Sequence, residues 1–405
     1  MAMHVTREIV PGIHWVGGSD RRLERFENLF PLPNGVTYNS WLISDEKTAL
    51  IDTVDGSIGP QFLENIAHAL QGRALDYLVI NHMEPDHCAH IDAILRLHPQ
   101  ARLVGNAKTH AFFHQFYPGT GDVRMLEVKE GDRIPLGRRT LRFILAPMVH
   151  WPEVMFTCEE AEGILFSADA FGAFGALPGN LFADELDFGN LFLDETRRYY
   201  ANIVGRYGPQ VQAVLKKLAG ADIRMICPLH GPMWRKDLPA LLDLYDRWSR
   251  YAPEKKGVML AYGSMYGNTE NAVNALAARL ADLGTTDMRI HDISKVHPSY
   301  VIADIWKYSH LVLAAPTYNM GLYYPMHNLL HEIASLGLRN RTVALIGNHT
   351  WSSAALKEMQ GMLSGMKDMT VIGQPQDLRS TVRPDDAAWL DALAWEVAES
   401  VRHQA

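Results

Sequence analysis

The sequence is poor in cysteine. Cys88, Cys158 and Cys227 are its only three, and no two of them form a CxxC pair. That spacing excludes a disulfide framework, a zinc ribbon or a thiolate iron site within the chain, and it fits a reducing cytoplasm. Long apolar runs are missing as well: none reaches the roughly 18 residues of a membrane span. Residues 1–18 mix charged and β-branched side chains and lack the apolar core of a signal peptide. Positive charge is in deficit, with a net charge of -8 and a pI near 6.1. Neither nucleic acid nor an anionic membrane surface is therefore an expected partner. Internal repeats and low-complexity tracts are absent. What remains is ordinary for a globular protein, 47% hydrophobic and 21% charged, and 405 residues suffice for two or three cores.

The charged stretch Arg247 to Gly257, with Pro253 inside it, reads as a linker, dividing the chain into residues 1–250 and 257–405. The first part alternates short β-type runs with helical stretches. Trp41–Ile43 and Thr48–Ile51 flank a hairpin turn. Tyr77–Ile80, Leu141–Leu145, Gly163–Phe166 and Ile223–Ile226 have the apolar character of buried strands. Ile58–Leu70 and Ile91–Leu97 are helical, so an α/β sandwich is expected. In the second part a strand, Val258–Tyr262, precedes a polar loop. A helix follows whose Val273, Leu276, Ala277, Leu280 and Leu283 share one face, with Gly284 as its stop. Strands Leu311–Ala315 and Thr342–Ile346 continue a doubly wound parallel sheet.

Just past four of the first part's strands stands a histidine or an aspartate: His82, His150, Asp169 and His230. Strand ends on one sheet edge can aim several side chains at one point. The first of these positions opens a denser group, His82, Glu84, Asp86 and His87. Residues 82, 84 and 86 would project to one side of an extended loop, with His87 added where the chain turns into a helix. Four histidines and three carboxylates are too many for one metal and suit two. Imidazole with carboxylate fits zinc, iron or manganese, and two histidines with one carboxylate and open positions form a common non-haem iron set. His82, Glu84 and His150 would serve one ion and Asp86, His87 and His230 the other, with Asp169 as the bridge. Of the 18 histidines, His68, His90, His98, His110, His114 and His403 are expected to be plain surface or helix residues.

The loop after Tyr262 contains Ser264, Met265, Tyr266, Gly267, Asn268 and Thr269. Hydroxyls, an amide and a glycine ahead of a helix N-terminus make an anion cradle. The loop is neither a GxGxxG nor a Walker A motif, which argues against a dinucleotide or a nucleoside triphosphate. It resembles the FMN phosphate loop of flavodoxins. Two more loops follow strand C-termini, one with Pro316, Thr317, Tyr318, Asn319 and Gly321, the other with Gly347, Asn348, His349, Thr350 and Trp351. Tyr318 and Trp351 are suited to pack on or near an isoalloxazine ring.

The strand-end ligand pattern resembles the metallo-β-lactamase superfamily, whose hydrolases carry HxHxDH. Here Glu84 replaces the second histidine, giving HxExDH. With the flavin loops downstream, the whole chain resembles the flavodiiron proteins. That resemblance implies a metallo-β-lactamase-like αββα sandwich followed by a flavodoxin-like domain. It implies FMN and two non-haem irons on the seven residues named, and reduction of O2 to water, NO to N2O, or both. It also places Tyr199 near the iron pocket as a candidate catalytic side chain. Further implications are a head-to-tail homodimer or a homotetramer, and an external electron donor such as rubredoxin or a reduced deazaflavin, because no rubredoxin-like CxxC module is present. Two positions depart from the family: His349 within a flavin loop, and Glu27 where some relatives place a histidine. Two rival readings are a zinc hydrolase with an appended flavodoxin-like domain and an electron carrier with a structural metal domain. Glu84 opposes the first and the open ligand set opposes the second.

Overall fold

The computed structural model describes residues 4–121 and 123–403. The chain forms two compact units. One holds the residues up to Tyr200 together with Pro209–Asp246, and the other holds Ala201–Gly208 and everything from Arg247 onward.

The first unit is built on two sheets. The seven-stranded sheet runs in the order Arg7–Val10, Ile13–Trp15, Trp41–Ser44, Thr48–Ile51, Tyr77–Val79, Arg102–Gly105, Met125–Glu127. The five-stranded sheet runs Arg133–Pro135, Thr140–Leu145, Met155–Glu159, Ile164–Phe166, Met225–Cys227. Trp41, Leu42, Leu50, Leu78, Leu103, Phe143, Phe156, Leu165 and Ile226 are all buried. Each such side chain contributes about 1.5–3 kcal/mol by leaving water. Helix Gly59–Leu70 packs on strand Trp41–Ser44, and helix Ala107–Phe116 packs on strands Arg102–Gly105 and Met125–Glu127. Strands Thr48–Ile51, Tyr77–Val79, Arg102–Gly105 and Met125–Glu127 are mutually parallel, as are Ile164–Phe166 and Met225–Cys227. Parallel neighbours end on the same edge, so the loops after Val79, Phe166 and Cys227 can carry side chains to one place.

The second unit is a parallel sheet in the order Met288–Asp292, Lys255–Tyr262, Tyr308–Tyr318, Arg341–His349, then Met369–Val371 and Gln376–Arg379 against the last. Numbered along the chain this is 2-1-3-4-5, the flavodoxin-like winding. One face of the sheet offers Val258, Leu260, Val312 and Ala314 to Ala272, Val273, Leu276 and Leu280 of helix Asn268–Asp282 and to Leu390, Leu393 and Val397 of helix Ala387–His403. Helix Pro298–Lys307 lies against strands Lys255–Tyr262 and Tyr308–Tyr318, and helix Ala355–Ser364 lies against Arg341–His349.

Two local expectations differ from the structure. Residues expected to begin the linker belong to helix Leu238–Ser249, and Lys255 to Gly257 already belong to a strand, so only Arg250 to Glu254 connects them. Leu241, Tyr245 and Trp248 of that helix are buried, which keeps it helical despite the charge around it. Asp86 is not on an extended loop. Pro85 opens a short helix, Pro85–Cys88, which carries both Asp86 and His87. Proline's fixed φ suits the first helical turn, so the chain bends one residue earlier than alternation implies.

Candidate metal centre and flavin pocket

In the first unit, His82, Glu84, His150 and Asp169 each offer a donor atom within 4.8 Å of the others, and Asp86, His87 and His230 form a second such group. His82 follows strand Tyr77–Val79, Asp169 follows Ile164–Phe166 and His230 follows Met225–Cys227; His150 lies in the loop after Thr140–Leu145. Asp169 faces both groups. Its Oδ2 is 3.0 Å from His150 Nε2 and 3.4 Å from His82 Nε2, while its Oδ1 is 3.1 Å from His87 Nε2 and 3.6 Å from His230 Nε2. Glu84 Oε2 closes the first group at 3.1 Å from His82 Nε2 and 3.0 Å from His150 Nε2. Asp86 Oδ2 closes the second at 3.3 Å from both His87 Nε2 and His230 Nε2.

The electrostatics are those of a cation site. Burial alone would raise the Asp169 carboxyl, but the His87 charge and the hydrogen bonds from His150 and His82 hold it well below the carboxylate range. Burial opposes charge on His150, yet Asp169 and Glu84 push it up to about 9. Both oxygens of Asp86, both nitrogens of His87, Asp169 Oδ1 and His230 Nε2 are buried with no hydrogen-bond partner. Orphaned donor atoms of this kind are costly unless a metal takes them. The set fits two hard or borderline cations, and metal uptake would displace protons from it.

A second layer, invisible in the sequence pattern, aims the ligands. The fully buried Glu153 accepts a hydrogen bond at Oε1 from His82 Nδ1 at 2.7 Å and another from the Met83 N–H at 2.9 Å. His230 Nδ1 donates to the Thr37 carbonyl at 3.0 Å. Each contact fixes a tautomer that leaves Nε2 free for metal. The only sequence trace of Glu153 is its place three residues after His150. Tyr199 is fully buried, its ring 5.4 Å from that of His230, and its hydroxyl has no partner. Glu27 lines a pocket of 330 Å³ with Tyr38, Asp55, Glu84 and Asp86. Burial and the neighbouring Glu84 carboxylate push its carboxyl up to about 8.

In the second unit the three loops meet. A pocket of 90 Å³ is lined by Ser264, Met265, Tyr266, Asn268, Thr269, Pro316, Thr317, Asn348, His349 and Thr350, joined by Ser380. Ser380 escaped sequence reading because the strand it follows, Gln376–Arg379, has no apolar run. Gly267 sits at φ 88, and no atom lies within 4 Å of where a Cβ would stand, so the turn needs glycine for its backbone and keeps the space open. Its N–H donates to Ser264 Oγ at 3.0 Å, curling the loop over the start of helix Asn268–Asp282. First-turn N–H groups have no intrahelical acceptor, which suits a phosphate. Asn348 Nδ2 donates to Thr269 Oγ1 at 3.3 Å, tying the third loop to the first. Tyr266 and Trp351 stand 91% and 80% exposed beside the pocket, apolar surface of the kind a flavin ring covers. Gly267, Asn319 and Trp351 lie in the same loops, and Tyr318, Gly321 and Gly347, expected in loops, belong to the strands that bound them; none of the six lines the pocket itself.

Residues 36–231 match the model of the ODP family beta lactamase, and residues 260–385 match that of flavodoxin. A nitric oxide reductase of Moorella thermoacetica is 32% identical over 370 residues, 91% of each chain. The rubredoxin oxygen:oxidoreductase of Desulfovibrio gigas superposes with a TM-score of 0.91 at 28% identity, covering 98% of both chains. The flavodiiron protein of Giardia intestinalis gives 0.92 at 25% identity, covering 98% of this chain and 97% of its own. The chain belongs to the flavodiiron proteins: a metallo-β-lactamase-like unit followed by a flavodoxin-like one, an oxidoreductase of FMN and non-haem iron.

Proposed function

We propose that the chain reduces O2 to water, NO to N2O, or both, at two irons, with electrons delivered through FMN. His82, Glu84 and His150 would hold one iron and Asp86, His87 and His230 the other, with Asp169 between them. The observation that carries this reading is the division of the other six donors into two sets about the two oxygens of Asp169. When bound, the irons supply a redox-active pair with open positions for a diatomic gas, and FMN supplies electrons in pairs. The chain's own residues do the rest. Glu153 and the Thr37 carbonyl hold the His82 and His230 rings in place. Tyr199, with its ring 5.4 Å from that of His230 and its hydroxyl without a partner, is the candidate proton donor. Glu27 lines the same pocket as Glu84 and Asp86. The loops at Ser264–Thr269, Pro316–Gly321 and Gly347–Trp351 would hold FMN by its phosphate and ring.

The electron donor is a separate protein or reduced cofactor, with rubredoxin or a reduced deazaflavin as the candidates; the name of the Desulfovibrio relative pairs rubredoxin with oxygen. Metal and flavin units in one chain favour a head-to-tail homodimer or a homotetramer, in which one copy's flavin serves another's irons. Monomers that keep their cofactors and full turnover on dilution would contradict this. The cytoplasm is the proposed location: three unpaired cysteines fit it, and no helix among the described residues is long and apolar enough to cross a membrane. Elemental and flavin analysis of the purified protein tests the cofactor assignment. Two irons and one FMN per chain are expected; two zincs with esterase activity would establish the hydrolase instead.

A further inference from the structure

Asp377, in strand Gln376–Arg379, does not line the flavin pocket, yet the turn that carries Trp351 converges on it. His349 Nδ1 lies 3.1 Å from Asp377 Oδ2, and Ser353 Oγ donates to the same oxygen. His349 and Ser353 are the two shoulders of the turn, and Trp351 is its tip. Gly347 meets the same carboxylate from the backbone side. A Cβ there would stand 2.6 Å from Asp377 Oδ1 and 2.9 Å from Leu356 Cβ, so the position admits only glycine while Asp377 stays where it is. Aspartate is disfavoured in strands, and both its Oδ1 and the facing His349 Nδ1 are buried without a hydrogen bond. The sheet pairing of Gly347 with Asp377 makes no use of the carboxylate.

The backbone on either side of the turn is anchored independently. The Ser380 N–H donates to the His349 carbonyl at 2.8 Å, and Thr317 Oγ1 accepts from the Ala354 and Ala355 N–H groups at 3.0 and 3.1 Å. Between these anchors Ser380 Oγ donates to Thr350 Oγ1 at 3.1 Å, and Asp377 is the carboxylate that meets both shoulders of the turn.

We propose that Asp377 is a positioning residue for the flavin: it holds Ser353 by a hydrogen bond, faces His349 across 3.1 Å, and so sets the Trp351 turn against the ring end of FMN. This role rests on the FMN reading of the second unit and adds to it a residue outside the pocket. It also gives the His349 departure a purpose, since a histidine there can meet the carboxylate.

The test uses the full chain, deflavinated and titrated with FMN and with riboflavin, and the midpoint potential of the bound flavin. Asp377→Ala should weaken both ligands by the same factor, about tenfold, the loss of one charge-assisted contact, and should shift the potential. Ser353→Ala, which removes only an exposed hydroxyl, should weaken both by less and keeps the test open should Asp377→Ala fold poorly. The double variant should be no worse than Asp377→Ala, because the two residues share one interaction. Unchanged affinity for both ligands in both single variants would overturn the proposal. So would weakened FMN with unaltered riboflavin, which would make the role one of phosphate binding, and so would a lowered melting temperature with unaltered affinity. A wild-type chain that takes up no FMN would instead overturn the FMN reading itself.

Discussion

At the scale of single residues, two histidines show how environment sets role. His310 is buried in the second unit between Ser309 Oγ at 2.8 Å and Ser400 Oγ at 2.9 Å, and burial lowers it from the usual 6.5 to about 4. The unfolded chain therefore binds a proton, between about pH 4 and 6.5, that the folded chain refuses. Stability from this group is present above 6.5 and is lost as pH falls toward 4. Urea midpoints at pH 7 and pH 5 check this: the advantage of wild type over His310→Gln should narrow at pH 5, and parallel pH dependences would refute it. His82 is held by Glu153 for a different purpose, with Nδ1 occupied and Nε2 aimed at the metal. Glu153→Ala should lower metal affinity by about 10- to 100-fold in chelator competition. It should do so without altering FMN content, because Glu153 touches only the metal side. An unchanged affinity would make Glu153 a packing residue. Neither Glu153 nor the Thr37 carbonyl was legible in the sequence. They reach His82 and His230 from 71 and 193 residues away, and nothing local marks a residue for so distant a contact.

At the scale of elements, legibility followed the apolar runs. Strands Trp41–Ser44, Thr48–Ile51 and Tyr77–Val79, and helices Gly59–Leu70 and Ile91–Leu97, stand where hydrophobic spacing put them, because each buries the side chains that announced it. The pattern failed where a short element owes its shape to one residue, as Pro85–Cys88 does to Pro85, and where a strand is polar, as Gln376–Arg379 is. The strand Arg341–His349 illustrates a third kind of hidden determinant. Arg341, fully enclosed, donates to the carbonyls of Tyr251 at 2.7 Å, Ile305 at 2.8 Å, Asn340 at 2.9 Å, and Trp306 and Arg339 at 3.1 Å. Ile305 and Trp306 lie in the last turn of helix Pro298–Lys307, where carbonyls are unpaired and the helix dipole favours a cation. Arg341→Met keeps much of the volume and strands those carbonyls. It should cost about 3 kcal/mol in chemical denaturation. A loss within experimental error would mean that water replaces the guanidinium.

At the scale of the whole molecule, each unit supplies half of a reaction. The first gathers seven donors from four strand ends and one short helix into two ligand sets. The second gathers three loops at the C-terminal ends of parallel strands around a phosphate-sized pocket with exposed aromatics beside it. In the proposed reading Glu84 is the residue on which the choice of chemistry turns, since a hard carboxylate there would suit iron redox chemistry better than zinc-assisted hydrolysis. Glu84→His should therefore shift metal selectivity toward zinc and abolish gas reduction while leaving bound FMN in place, as read by elemental analysis and the flavin spectrum. The most direct measurement reduces the wild-type protein without oxygen and then adds O2 or NO while gas uptake and products are followed. Rapid flavin reoxidation with O2 consumed to water, or NO converted to N2O, is the predicted result. A flavin that stays reduced in both gases, with irons bound and intact, would contradict the account.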